Sequence, residues 1–167
     1  MSWTGRLVSI YTTPRAGDLV RASQTSVVTA DGLAGDRYAR GIGSFSRWPA
    51  SYRAVTLISQ EALDAAEAEF GVSMQAGEHR RNLVVAGVPL ADLRGVRFSL
   101  GADVVLEGAR VCAPCKALIR RTGQPEAFNA LVDRGGLRAS VITPGTIHVG
   151  DAIGLVGKAT PARGLPG

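Results

Sequence analysis

The 167-residue chain holds two cysteines, Cys112 and Cys115, in the run Cys112-Ala113-Pro114-Cys115. A thiolate is a strong nucleophile and a ligand for soft metals. The residues after Pro114 read as a short helix, Cys115 to Arg121. Its unpaired N-terminal amides would lower the Cys115 pKa. Three readings of the pair stand side by side. A thioredoxin-like redox pair calls for a βαβ setting, whereas this stretch follows a run of strands. A zinc site calls for about four ligands, and only His79 and His148 are left to complete one, without paired spacing. Two small packing residues account for the same positions with no chemistry.

Gly77-Glu78-His79-Arg80-Arg81-Asn82 is a polar run placed directly before the apolar Leu83-Val84-Val85. Such a strand mouth is where ligands bind, with Asn82 offering donor and acceptor and an arginine offering a fork for phosphate. A solvated loop accounts for it equally well. His79 reads as a satisfied polar residue rather than a base, and His148, between Ile147 and Val149, as pointing away from the core. Gly32-Leu33-Ala34-Gly35-Asp36-Arg37-Tyr38 allows close backbone approach, with Asp36 either steadying Arg37 or capping the turn. It lacks the lysine of a Walker loop. Arg134-Gly135-Gly136-Leu137-Arg138 reads as a tight structural turn.

These segments need a frame. Strands are predicted at Arg6–Tyr11, Gln24–Thr29, Ala54–Ile58, Asn82–Ala86, Val96–Leu100, Asp103–Glu107, Leu137–Ile142, Thr146–Val149 and Asp151–Val156. A hairpin is expected at Gly101-Ala102. The clearest helix is Gln60–Phe70, with Ser59 as its cap and Gly71 after its end. A further short helix fits Pro125–Asp133. Short strands with glycine-rich turns predict a barrel or sandwich, mainly β, with a few helices too irregularly spaced for repeated βαβ units.

Composition narrows the function. Hydrophobic residues make up 46% of the chain and charged residues 20%, which excludes a disordered chain. No apolar run approaches the roughly 18 residues of a membrane span, and the N-terminus lacks a secretory pattern. The expectation is therefore a cytoplasmic protein with no membrane partner. Lys116 and Lys158 are the only lysines among 19 basic residues, so 17 are arginines, and the net charge is +5. The arginines are scattered rather than clustered with aromatics. That argues against a nucleic-acid partner and for a small anionic ligand.

Taken in order, the motifs resemble a MOSC domain, the module named after the C-terminal part of molybdenum cofactor sulfurase. The matching residues are Gly32 to Arg37, Val55 to Ile58 with Glu61, Gly77 to Val85, Leu106 to Cys115, Gly135 to Arg138, and Gly145 to Asp151. The resemblance implies a standalone bacterial-type member. Its fold would be a distorted closed β-barrel, similar to the pyruvate kinase barrel, with a few peripheral α-helices. One domain would span residues 1–156, followed by a flexible tail at 157–167.

By the same resemblance Cys115 is the functional thiol and a ligand to molybdenum. Arg37, Arg80 and Asn82, and more weakly Thr13, would contact a molybdenum–pterin cofactor and its phosphate. The implied activity is sulfur carriage or molybdenum-dependent reduction of N-hydroxylated compounds through Cys115. The alternatives are a non-catalytic cofactor carrier, or a thiol redox or zinc module. Pyridoxal phosphate is expected only on a partner, such as a cysteine desulfurase. An electron-transfer protein is the other partner expected. Two departures stand out. Tyr38 follows Gly35-Asp36-Arg37 where many members carry His, and Ala113-Pro114 precedes Cys115 where the reducing enzymes carry Ser-Arg.

Overall fold

Inward and outward side chains alternate along strands that close on themselves. The computed structural model describes residues 3–43, 46 and 51–156; the tail expected at 157–167 lies outside them. The strands are β1 (Thr4–Thr12), β2 (Arg21–Ser23), β3 (Thr25–Thr29), β4 (Gly32–Leu33), β5 (Val55–Ser59), β6 (Leu83–Ala86), β7 (Arg97–Leu100), β8 (Val104–Val111), β9 (Leu137–Thr143), β10 (Gly145–His148) and β11 (Ala152–Leu155). Three short helices accompany them among the described residues: α1 (Gln60–Phe70), α2 (Ala117–Thr122) and α3 (Ala127–Leu131).

The main sheet runs β11-β7-β8-β9-β5-β6-β1-β2, and β11 also pairs with β1, closing seven strands into a barrel. The fold is thus mainly β and barrel-shaped, as expected. All barrel pairings are antiparallel except β5 with β6. A parallel pair needs a crossover, and α1 supplies it. One βαβ unit therefore sits in a wall otherwise built of antiparallel strands, which the helix spacing alone did not foretell. β10-β3-β4 form a separate three-stranded sheet.

Two apolar layers share the β5–β6 wall. Leu57 and Val85 point into the barrel with Leu7, Phe98, Leu106 and Ile153. Ile58 and Val84 point outward onto Leu63 and Ala66 of α1, Leu118 of α2 and Leu131 of α3. This covering on both faces explains the unbroken apolar runs at Val55–Ile58 and Leu83–Val85. Each side chain of this size, fully buried, contributes about 1.5–3 kcal/mol relative to exposure. α1 has the predicted ends: Ser59 accepts from the Ala62 amide, and Gly71 closes it in the left-handed region.

Three boundaries differ from expectation. β8 continues to Val111, past Gly108 and a register shift, and so carries the chain to Cys112. Arg21–Ser23 and Gly32–Leu33 are too short to show an alternation. α2 begins at Ala117 and is six residues long, so Cys115 lies before it rather than in its first turn.

Candidate functional site

A cavity of about 580 Å³ opens on the outer side of the barrel, where β5, β6 and β9 meet the loop after β8. Its lining includes Cys112, Cys115, Thr56, Asn82 and six arginines: Arg37, Arg80, Arg81, Arg120, Arg121 and Arg138. No aspartate or glutamate lines it among the described residues. The six arginines come from four separate parts of the chain, at 37, 80–81, 120–121 and 138, which is why no basic run announced them.

The cysteine loop is held from behind by backbone packing. The Cys112 amide donates to the Gly136 carbonyl at 2.8 Å. A Cβ at Gly135 would collide with the Cys112 carbonyl, and one at Gly136 with that of Leu57; Gly136 also has φ +108°. Gly135-Gly136 is therefore the mould for the loop as well as a turn. Arg81 completes the brace. Its Nε donates to the Gly135 carbonyl at 2.9 Å, its Nη1 to that of His79 at 2.8 Å and its Nη2 to that of Cys112 at 3.4 Å. Arg81 is buried and all its bonds go to carbonyls, so it fixes three backbone segments rather than reaching for a ligand.

Asn82 has a similar task. Its Oδ1 accepts from the Thr56 amide and hydroxyl, and its Nδ2 donates to the Tyr11 carbonyl. These bonds tie β1, β5 and β6 together at the cavity floor. One Nδ2 hydrogen is left for a ligand.

Asp36, buried, accepts from the Thr13 and Tyr38 amides and sits 3.5 Å from the Arg37 guanidinium, so it both caps the turn and steadies Arg37. Thr13 is buried behind this turn and does not line the cavity. Arg37 does, with its guanidinium over the Tyr38 ring at 4.8 Å. Arg80 has φ +61°, an uncommon conformation for a side chain this bulky. Its two Nη groups donate to the carbonyls of Ala16 and Asp18, pinning that loop across the cavity rim. Partial burial, and then the nearby Arg37 charge, push its pKa below the usual arginine range, while Asp18 opposes the shift.

Cys112 is buried and Cys115 exposed, and both are free. With the helix starting at Ala117, the argument from a helix N-terminus at Cys115 falls away; its neighbour is instead Arg121 of α2. Partial burial, and then the charge of Arg80, lower the Arg121 pKa; Cys115 acts the other way, while Arg81 and Arg37 add to the lowering. Arg121 thus sits among several other guanidinium groups, with Cys115 as the one opposing influence. Arg120, Arg121 and Arg138 make no hydrogen bond or ion pair among the described residues. Arg120 and Arg121 carry no local signal, because arginines on a short helix read as solvated, and Arg138 stood in a motif read only as a structural turn. Arg134 does behave so, pairing with Glu69.

The histidines divide. His148 is exposed, 3.8 Å from Asp151, as its alternation suggested. His79 corrects the reading of a satisfied residue. It is fully buried, its Nδ1 accepts from the Arg81 amide, and its Nε2 has no partner. Burial first, then Arg81 and Arg121, lower its pKa to about 3. No group of three or more His, Cys, Asp or Glu among the described residues could hold a metal, so the zinc reading lacks a ligand set. None of the helices described is long and apolar enough to cross a membrane.

A closed barrel with an arginine-lined thiol cavity on its outer wall defines the class. The MOSC domain family matches residues 35–154, and the chain belongs to that family. Solved structures agree on the fold. The YuaD protein from Bacillus subtilis superimposes with TM-score 0.76 at 18% identity, over 91% of this chain and 97% of that one. YiiM from Geobacillus stearothermophilus gives 0.68 at 18%, over 95% and 78%. YiiM from Escherichia coli gives 0.64 at 18%, over 95% and 71%. No curated protein matches the chain.

Proposed function

We propose that this protein binds a phosphate-bearing molybdenum–pterin cofactor in the arginine cavity and that Cys115 supplies the single protein sulfur at that site. The observation that carries the reading is the lining itself: one exposed thiol in a cavity to which six arginines and no carboxylate contribute among the described residues. The residues fit such a group. A soft metal held by a dithiolene needs one thiolate from the protein rather than a cluster of ligands. A phosphate needs forked cationic donors, and about 580 Å³ lies within the usual range of small-molecule sites.

When bound, the group would supply a two-electron centre suited to reducing N-hydroxylated compounds or to receiving sulfur. The chain's own residues do the rest. Arg120, Arg121 and Arg138 would take the phosphate, with Arg37 and Arg80 at the rim. Asn82 would offer its remaining amide hydrogen. Arg81 and the Gly135-Gly136 mould would keep the Cys115 loop in register. The reading calls for a partner that delivers electrons or sulfur, such as an electron-transfer protein or a pyridoxal-phosphate-dependent cysteine desulfurase.

Titration of the purified chain with the cofactor, followed by pterin fluorescence and metal content, tests it. Cys115→Ser should retain the pterin and lose the metal, while Cys112→Ser keeps both. No binding by the intact protein would reject the reading.

A further inference from the structure

Three arginines whose side chains have no partner among the described residues, beside one exposed thiol, constrain what that thiol acts on. A thiolate that attacks a sulfur–sulfur bond drives negative charge onto the departing sulfur group. Preorganised cations lower the barrier only if they face that charge. Here Arg121 lies close enough to Cys115 to interact with it electrostatically, and Arg120 and Arg138 share the same lining. None of the three is neutralised by a protein carboxylate. Cys112 is buried, so the chemistry at the surface has one sulfur to work with.

We propose that the cavity accepts small anionic sulfane donors of the thiosulfonate class, thiosulfate being the simplest, and that Cys115 takes their outer sulfur directly. This rests on the reading of Cys115 as a sulfur carrier and names the substrate class of that site. The Cys115 thiolate attacks the outer sulfur of thiosulfate. The bond from Cys115 Sγ to that sulfur forms as the donor's sulfur–sulfur bond breaks. Sulfite leaves with the bonding electron pair, and Cys115 becomes a persulfide. No outside oxidant or reductant is consumed. A nucleophilic acceptor then removes the outer sulfur and restores the thiolate; with cyanide the product is thiocyanate. The arginines hold the incoming dianion and the departing sulfite, so a neutral donor, which brings no charge to the site and releases only a singly charged sulfinate, gains less from them.

The experiment uses the full chain, reduced and freed of bound metal. It is treated with thiosulfate, or with the neutral reagent methyl methanethiosulfonate, which labels thiols by the same kind of displacement. With thiosulfate, intact-mass analysis should show one added sulfur on Cys115 with matching sulfite release, and Cys115→Ser should show neither. Arg121→Met and Arg138→Met should each slow the thiosulfate reaction about tenfold or more. Both should slow the neutral reagent far less than thiosulfate, and labelling of Cys115 by that reagent shows that the variants fold and keep their thiol accessible.

The proposal is overturned if the neutral reagent labels Cys115 and thiosulfate does not. It is also overturned if the two arginine variants react with thiosulfate as fast as the wild type. Cofactor titration of the same preparation separates the two readings. Cofactor binding without sulfur uptake rejects this inference alone; uptake without binding rejects the cofactor reading alone.

Discussion

The floor and the rim of the cavity are built from similar residues put to opposite uses. On the floor, Arg81, Asn82 and Thr56 are buried, and nearly every polar atom they own is engaged by backbone or by one another. At the rim, Arg120, Arg121 and Arg138 carry the same kind of charge with no hydrogen-bonding partner among the described residues. The two cysteines repeat the contrast, one buried and one exposed. The difference teaches that lining a cavity is not the same as being available to a ligand. A buried donor already satisfied would have to break a bond before it could form another, whereas a rim donor exchanges only water.

The sharpest test of this division uses the two sulfurs. Cys115→Ser should abolish persulfide formation and metal retention, and Cys112→Ser should preserve both; mass spectrometry and metal content measure this. Next comes the floor. Asn82→Ala leaves the Thr56 and Tyr11 groups unpaired and should lower stability by about 2–4 kcal/mol in denaturant titration.

Rim substitutions should do the reverse. Arg121→Met should change stability by less than about 0.5 kcal/mol. It should weaken a phosphate-bearing ligand by about ten- to a hundredfold in calorimetry, since a charge-assisted bond is worth about 1.5–3 kcal/mol. Equal stability losses at Asn82 and Arg121 would dissolve the contrast.

A pH-dependent effect lies beneath the floor. His79 has its pKa lowered from 6.5 to about 3, so it stays neutral in the fold while the unfolded chain takes up a proton. Its contribution is fully present above pH 6.5 and declines as the pH falls towards 3. The slope should be about 1 kcal/mol per pH unit within that window. His79→Gln should flatten the slope in unfolding titrations run across it.

Much of the frame was legible because local and global preferences agree. Ser59 and Gly71 fixed both ends of α1, and alternating or apolar runs located the seven barrel strands, with β3 and β10, closely enough to read a barrel. The parallel β5–β6 pairing was not legible, since periodicity shows that a strand is buried but not which neighbour covers it. At the site, Cys115, Arg37, Arg80 and Asn82 do converge on one cavity, while Thr13 stays behind the Asp36 turn. Arg120 and Arg121 escaped notice, and Arg138 was read only as part of a turn, because their significance is spatial: helix and strand bring together side chains that share no motif. Arg81 stood inside the motif, yet its engagement with three carbonyls is a tertiary fact that no neighbouring residue advertises.

The closure of the barrel by β1 against β11 has a consequence for how the molecule comes into being. Thr4 pairs with Gly154 and Arg6 with Ala152, so the first strand's outer partner is synthesised long after the strand itself. Until then the barrel is an open sheet with Leu7, Phe98 and Leu106 uncovered along its inner face. Contacts so distant along the chain form slowly, because loop closure precedes their reward. The nascent protein therefore passes through a stage with exposed apolar surface and unpaired strand edges, the kind of chain that chaperones recognise.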